Sequence, residues 1–86
     1  MFLHVTSVTY VSGYTLRLAF NNGSVRLVDL SGELYGTMFA PLKDVEMFRQ
    51  VRLNTVETSI EWPNGADFAP EFLYERGVEE KQLLAA

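Results

Sequence analysis

Residues 60–74 read IEWPNGADFAPEFLY, and this stretch decides the predicted fold of the second half of the chain. Alternating β-branched and aromatic residues over 58–62 predict a strand. That strand should end at Pro63, because proline has no amide hydrogen for pairing. Pro63-Asn64-Gly65 is typical of a tight turn, since proline fixes φ and both Asn and Gly tolerate a positive φ.

Helical spacing follows the turn after Asp67. Pro70 suits the first position of a helix, and Glu71 in the first turn favours the positive end of the helix dipole. Gly77 is a suitable C-terminal stop. The pattern therefore predicts a helix over residues 70–76 that covers one face of a sheet.

Three strands are predicted in the first half, at residues 5–10, 14–20 and 24–30. The apolar phase shifts within the first strand, which indicates a bulge near Thr6-Ser7. Asn22-Gly23 between two alternating runs favours a hairpin with a tight primed turn. These features predict a three-stranded antiparallel meander.

The middle of the chain connects the two halves through short elements. Residues 31–40 should hold one helical turn or irregular structure. Residues 42–50 read as a short helix with Asp44 as N-cap and with Val45 and Phe48 facing inward. Residues 51–54 and 58–62 then form a hairpin.

The predicted fold class is α+β, with one antiparallel sheet (the three-stranded meander plus a C-terminal hairpin) packed with two short helices in the order β-β-β-α-β-β-α. Residues 1–86 should form a single domain. Its ordered core should span about residues 3–77, with a frayed tail over residues 78–86.

Composition narrows the classes of function. The 86 residues carry eleven acidic and seven basic side chains, a net charge of −4, and no cysteine. Disulfides, thiolate metal sites and cysteine nucleophiles are thereby excluded. The absence of a basic run argues against direct nucleic-acid binding, and no apolar stretch reaches the length of a membrane span. We expect a cytoplasmic protein.

Catalytic and metal-binding patterns are weak. Asp67, Glu71 and Glu75, with Glu61 nearby, form either a carboxylate site or a set of solvated charges. The second interpretation is preferred, with Asp67 bound to amides of the turn or the helix start. His4 is the only histidine and lacks a second ligand, so we expect no metal, cofactor or catalytic residue.

Two further residues have alternative structural roles. Trp62 either anchors the 70–76 helix in the core or forms an exposed binding hot spot, and the core position is preferred because Ile60 shares its face. Asp29, in an otherwise apolar strand end, is expected to cap the Ser31-Gly32 turn. A buried ion pair with an arginine is the alternative.

The order of motifs resembles a bacterial family known as domain of unknown function 2442. The matching motifs are Leu16-x-Leu18-x-Phe20-x-Asn22-Gly23, Val28-Asp29-Leu30, Leu42-x-Asp44, Phe48-x-x-Val51, Trp62-Pro63-Asn64-Gly65-Ala66-Asp67 and Pro70-Glu71-x-Leu73-Tyr74. The resemblance covers roughly residues 5–75 and implies a small α+β protein without established catalytic residues. It also implies a gene beside another small gene, in an arrangement like that of a toxin–antitoxin pair.

The functional expectation is a non-enzymatic protein–protein interaction module. Its partner should be a basic protein or a second copy of the chain, a possible homodimer, with an exposed strand edge offering β-augmentation or self-pairing. One alternative is a small ligand-binding domain or enzyme using Asp67 and Glu71. Another is an accessory domain of a DNA-binding regulator. The candidate binding surface comprises Trp62, Asn64, Gly65, Asp67, Glu71 and Tyr74.

Overall fold

A computed structural model describes residues 2–80, which form two antiparallel sheets and short helices. The α+β class is thus confirmed, with two sheets where the sequence predicts one. The first sheet has the order β1-β2-β3-β7 and the second β4-β5-β6. The strands are β1 Val5–Ser12, β2 Thr15–Phe20, β3 Val25–Asp29, β4 Arg52–Asn54, β5 Ser59–Glu61, β6 Asp67–Phe68 and β7 Val78–Glu79. The helices are α1 Gly36–Phe39, α2 Val45–Phe48 and α3 Pro70–Arg76, with 3-10 turns at Ser31–Glu33 and Ala40–Lys43.

The predicted meander is confirmed, together with the bulge in its first strand. The β1–β2 register shifts between Val5 and Ser7, which is the position indicated by the change of apolar phase. Strand β2 alternates as predicted: Leu16, Leu18 and Phe20 are buried, and the residues between them are half-buried. The buried side chains of β2 therefore all lie on the face of the sheet that lines the core.

The β2–β3 hairpin is confirmed, but its primed turn is not. Asn22 keeps a negative φ, and Gly23 alone takes the positive value, 87°. The Phe20 amide donates to the Ser24 carbonyl over 2.9 Å, which closes a three-residue loop. This is a type I turn followed by a left-handed glycine, an arrangement that leaves both asparagines in ordinary conformations.

The segment predicted as a frayed tail begins with an ordered strand. In β7, Val78 pairs with Leu27 and Glu79 with Arg26 of β3. The Glu80 carboxylate also meets the Arg17 guanidinium at 2.7 Å. The ordered core therefore continues past residue 77, because β3 offers an edge and Arg17 an opposite charge; the remainder of the predicted tail, residues 81–86, lies outside the described residues.

A second unpredicted strand, β6, lies between the Pro63-Asn64-Gly65 turn and α3. Its two residues pair with β5, Asp67 opposite Glu61 and Phe68 opposite Ile60. The turn is therefore a hairpin loop, and α3 begins at Pro70 as predicted. A strand of two residues is too short to show an alternating pattern in the sequence.

The helix predicted over residues 42–50 is broken into a 3-10 turn and the one-turn helix α2. Asp44 is its N-cap, accepting a hydrogen bond from the Glu46 amide. Phe48 is buried as predicted, whereas Val45 is 36% exposed, which corrects the inward placement. A single turn can direct only one side chain squarely into the core, and Phe48 fills that contact against Tyr14.

Helix α3 is fixed to the first sheet at its C-terminal end. Arg26 Nη1 donates to the carbonyl of Tyr74 at 2.9 Å, and the Arg26 guanidinium lies 3.7 Å from the centroid of the Tyr74 ring. Gly77 packs closely, since a Cβ there would lie 2.9 Å from Cβ of Arg26 and 3.0 Å from a Val28 methyl. Gly77 thus ends the helix by close approach rather than by a positive φ.

The Asp29 cap is confirmed, because the Ser31 amide donates to its carboxylate at 2.9 Å. Hydrogen bonds from the Ser31 amide and hydroxyl lower the pKa of Asp29, and the charge of Arg76 adds to the effect.

Across residues 2–80, none of the helices has the length and apolar character needed to span a membrane.

Candidate functional site

Three phenylalanines from separate segments stack into a row on the surface. The rings of Phe39 and Phe68 lie 4.6 Å apart, and those of Phe68 and Phe72 lie 5.2 Å apart with an interplanar angle of 13°. Phe72 is 37% exposed and Met38, beside Phe39, is 44% exposed. The row therefore presents one apolar strip built by α1, β6 and α3.

The hairpin loop between β5 and β6 holds α1 against this row. The Asn64 side-chain amide donates to the Met38 carbonyl at 2.9 Å, while its oxygen accepts from the Ala66 amide at 3.1 Å. Gly65 has a φ of 93°, and a Cβ there would lie 3.4 Å from the Met38 methyl. Asn64 and Gly65 thus position the strip rather than form its centre.

Trp62 lies beneath the row and not on the surface. Its side chain has no exposed area, and its indole N–H donates to the Phe48 carbonyl at 2.8 Å. The Trp62 ring also contacts Phe68 edge-on at 6.0 Å. The core interpretation is confirmed, and Trp62 leaves the candidate binding surface because a fully buried ring cannot contact a partner.

Carboxylates border the row. Asp67 and Glu71 are exposed, on β6 and at the start of α3. Between residues 53 and 75 the sequence holds five acidic residues and neither lysine nor arginine. An open depression next to Phe68 continues this acidic border, and its lining residues are Glu57, Ser59, Asp67, Phe68, Ala69 and Pro70.

We name these residues the acidic aromatic surface: Met38, Phe39, Phe68, Phe72, Asp67 and Glu71. The predicted hydrogen bonds to Asp67 from amides of the turn or the helix start are not formed. Asn64 accepts from the turn amide instead, and α3 has no side-chain cap. The Asp67 carboxylate is therefore available at the edge of the sheet.

Glu61 and Asp67 face each other across the β5–β6 pair, yet their carboxylates differ in their hydrogen bonding. The Glu61 carboxylate accepts from Asn54 at 2.8 Å and from Arg52 at 2.9 Å. These hydrogen bonds, that from Asn54 first, and the charge of Arg52 lower the pKa of Glu61. Glu61 is thus held as an ionised acceptor for Asn54 and Arg52 of β4 and is unsuited to donate a proton to a substrate beside Asp67.

Tyr74 belongs to another part of the molecule. It follows Phe72 by two residues, about 200° around the helix, and so faces the opposite side of α3. Its ring meets Phe20 edge-on at 5.1 Å, and its hydroxyl accepts from the Asn22 side chain at 3.2 Å. That hydrogen bond, with smaller effects from Ser24 and Arg26, lowers the pKa of Tyr74. Tyr74 is a packing residue and is removed from the candidate surface.

Of the six residues predicted for the site, Asp67 and Glu71 are both exposed, on β6 and in the first turn of α3, and Asn64 and Gly65 hold α1 against the adjoining hairpin. Phe39, Phe68, Phe72 and Met38 were not identified from the sequence as residues of the binding surface. The only local signal was the Phe68–Phe72 spacing of four residues, which brings side chains close at a helix start. Among residues 2–80, no group of three or more His, Cys, Asp or Glu is placed to hold a metal ion.

The comparisons with known proteins bear on the family alone. Searches of curated proteins and of solved structures returned no match. A family model described as "Protein of unknown function (DUF2442)" matches residues 5–79, from the start of β1 to the end of β7. The chain therefore belongs to the DUF2442 family, as its motifs indicated.

Proposed function

We propose that this protein is a non-enzymatic interaction module that binds a basic segment of another protein through the acidic aromatic surface. One observation carries the proposal: a stacked, partly exposed row of aromatic rings lies beside carboxylates that have no basic neighbour in sequence from residue 53 to residue 75. A segment with apolar side chains flanked by Lys or Arg would match both features.

The apolar part of the surface supports this role. Phe72 and Met38 are 37% and 44% exposed, and Tyr35, three residues before Met38 in the chain, is 68% exposed. Aromatic residues and methionine are enriched in the buried centres of interfaces, where flat rings give large contact areas at little entropic cost. Burying these side chains would supply most of the binding free energy.

The acidic aromatic surface is held in place before binding, which also supports the proposed interaction. The Asn64–Met38 hydrogen bond fixes α1 to the hairpin, and the buried Trp62 backs Phe68 from below. A surface held in place before binding loses less conformational entropy when the partner arrives. The acidic border then directs a basic segment onto the rings and makes association sensitive to salt.

The non-enzymatic part of the proposal rests on Glu61 and Asp67. Asn54 and Arg52 engage Glu61, so the pair does not offer one protonated and one ionised carboxylate to a substrate.

The family resemblance suggests where the partner is encoded, namely in a neighbouring gene of a toxin–antitoxin-like or regulatory pair. We place the interaction in the cytoplasm.

A small-ligand role is the second candidate, favoured by the depression beside Asp67. Its lining combines Glu57 and Asp67 with the ring of Phe68, a combination suited to a small organic cation. The depression is open to solvent, whereas ligand sites usually enclose most of the ligand. A protein segment lying across the surface fits that open shape better.

Quantitative affinity capture tests the proposal. Tagged wild-type protein is incubated with nuclease-treated native lysate, and bound proteins are measured beside those of Phe72→Ala and of Asp67→Asn/Glu71→Gln. We expect one stoichiometric basic partner with the wild type. Its recovery should fall at least about tenfold with either variant, as for loss of an interface hot spot.

The matched control is Glu46→Gln/Glu79→Gln, which removes the same charge at exposed positions of α2 and β7. This control should retain the partner. Equal recovery by the wild type and by both surface variants would overturn the proposed site. The capture is repeated from untreated lysate, and a partner recovered only there would point to the regulator-accessory alternative instead.

A further inference from the structure

Strand β1 leaves one long edge without a strand partner. It runs over eight residues, Val5–Ser12, and pairs with β2 on one side. Within residues 2–80, no strand pairs with its other side. One backbone hydrogen bond lies at the start of that side, where the Val5 amide donates to the Thr58 carbonyl at 2.9 Å, and β4 and β5 approach β1 without pairing with it.

The hydrogen-bond pattern of the sheet identifies the groups on this edge. At the end of β2 the Phe20 amide donates to the Ser24 carbonyl, and just before β2 the Tyr14 carbonyl accepts from the Leu30 amide, so the backbone groups of the even-numbered residues point toward β3. The odd-numbered residues of β2 therefore point toward β1, because the direction alternates along a strand.

Thr9 lies opposite Arg17 and Ser7 opposite Ala19, so both bond to β2. It follows that the amides and carbonyls of Val8 and Tyr10 point to the free edge. The side chains of Ser7 and Thr9 are exposed, on the face away from the core.

This edge is chemically unlike the other strand edges. No Asp, Glu, Lys or Arg occurs from Phe2 to Leu16, and β1 is rich in β-branched residues. Edge strand β7 carries Glu79, β6 carries Asp67 and β4 carries Arg52, and each has three residues or fewer. Short length, charge and β-bulges are common means by which proteins prevent edge-to-edge pairing. Strand β1 is long and uncharged, and its register shifts lie between Val5 and Ser7 and between Tyr10 and Ser12, so residues 7–10 form a regular stretch between them.

We propose that β1 is a self-association site at which a second copy of this chain pairs antiparallel, joining two four-stranded sheets into one. A two-fold axis beside Thr9 places Thr9 opposite its own copy. The amides and carbonyls of Val8 and Tyr10 then form four hydrogen bonds with Tyr10 and Val8 of the second copy.

A second copy is the expected occupant because β1 itself carries no charged side chain that would oppose its own copy across the axis. The nearby Arg49 guanidinium lies over the Tyr10 ring, 5.4 Å from its centroid. Such a contact uses the same edge on both chains, so it closes at a dimer and leaves no further copy of that edge exposed. The inference does not rest on the proposed function, which concerns α1, β6 and α3.

The test is the oligomeric state of the full chain, measured by sedimentation across a dilution series. The wild type should be a dimer. The Ser7→Lys/Thr9→Lys variant places four like charges at the axis and should raise the dimer dissociation constant about tenfold or more. Thr37→Lys/Ala40→Lys adds the same charge at exposed positions near α1 and should remain dimeric.

A charge swap separates disrupted pairing from disrupted folding. Ser7→Glu/Thr9→Glu should raise the dimer dissociation constant similarly when alone, and an equimolar mixture of the Lys and Glu variants should restore a dimer containing one chain of each. A monomeric wild type would overturn the proposal. So would a Lys variant that dimerises as strongly as the wild type, or a mixture of the two variants that stays monomeric.

Discussion

Asn22 and Asn64 occupy the same position in two hairpin loops of the same construction. In each loop the residue two positions before the asparagine donates its amide to the residue two positions after it, over 2.9 Å. Each asparagine oxygen accepts from the amide two residues later, at 3.0 Å for Asn22 and 3.1 Å for Asn64. Each side-chain NH₂ group then reaches a distant segment, the Tyr74 hydroxyl or the Met38 carbonyl.

Both loops therefore fix a hairpin and attach another element to it. Asn22 attaches α3 to the first sheet, and Asn64 attaches α1 to the second. We expect Asn64→Ala to lower the free energy of unfolding by about 1–2 kcal/mol, since two hydrogen bonds are lost and one accepting carbonyl is left without its donor.

Asn22→Ala should cost about 1 kcal/mol, because Asn22 is exposed and its partner is a hydroxyl that water can also solvate. Urea unfolding measures both. Asn64→Asp separates the two roles, since it keeps the accepting oxygen of the turn and removes the donor to Met38. A cost for Asn64→Asp equal to that for Asn64→Ala would assign the whole effect to the Met38 contact.

Replacing Gly77 tests the close packing of the C-terminal end of α3 against the first sheet. Its Cβ position lies 2.9 Å from Arg26 Cβ and 3.2 Å from the Leu73 carbonyl, so Gly77→Ala must displace backbone or sheet. We expect a loss of about 1–3 kcal/mol in the free energy of unfolding.

Gly32→Ala is the matched control for Gly77→Ala. The nearest atom to its Cβ position is the flexible end of Arg76, at 3.3 Å. Gly32→Ala should be close to neutral in the same urea measurement. Equal losses for the two variants would contradict the close-approach explanation.

Thr58 carries backbone strain where the two sheets meet. Its φ is 57°, a left-handed value that is costly for a β-branched residue, and its carbonyl accepts from the Val5 amide. Thr58→Gly should raise the free energy of unfolding by roughly 0.5–1 kcal/mol, because relief of strain exceeds the added backbone entropy.

Thr55→Gly serves as the control for Thr58→Gly, since Thr55 lies in the same loop with a negative φ. That variant should gain nothing or lose stability. Thermal unfolding of the two variants and the wild type measures these differences in stability. A Thr58→Gly variant less stable than the wild type would show that the strain is offset by contacts of the threonine side chain.

The lowered pKa of Glu61 predicts that the free energy of unfolding depends on pH. Asn54 and Arg52 lower its pKa below the ordinary value of 4.5. A carboxyl group with a lowered folded-state pKa binds fewer protons in the folded protein than in the unfolded chain. Its contribution to stability is therefore present above pH 4.5 and is lost as the pH falls through the folded-state pKa.

Urea midpoints measured from neutral pH to about pH 3 test this dependence. Glu61→Gln should show a smaller fall in midpoint over the acid range than the wild type. Glu57→Gln, on the adjacent loop and outside the contact with Asn54 and Arg52, should keep the wild-type slope. Parallel curves for wild type and Glu61→Gln would contradict the assignment.

Local patterns in the sequence were sufficient for much of the fold. The alternation of β2, the Asp44 cap and the Pro70 start of α3 each depend on neighbouring residues, and all three are confirmed. Strands β6 and β7 were missed because two residues show no period, and their pairing depends on an edge formed elsewhere in the chain.

The site was harder to predict for the same reason. The stacking of Phe39 on Phe68 joins residues 29 positions apart, and no local pattern encodes it. The acidic residues of the site were visible as charges, whereas Trp62 and Tyr74 required knowledge of which side of an element faces the core. Asn22-Gly23 predicted the hairpin correctly but not its turn type, because Asn21 joined the loop as a third residue.

Site-specific photo-crosslinking in the native cell tests the central claim most directly. A photoreactive phenylalanine derivative replaces Phe72 in the acidic aromatic surface or, as the control, Val56, which is 85% exposed in the β4–β5 loop. We predict that position 72 crosslinks to one basic protein and that position 56 does not. A partner crosslinked from position 56 and not from position 72 would contradict the account.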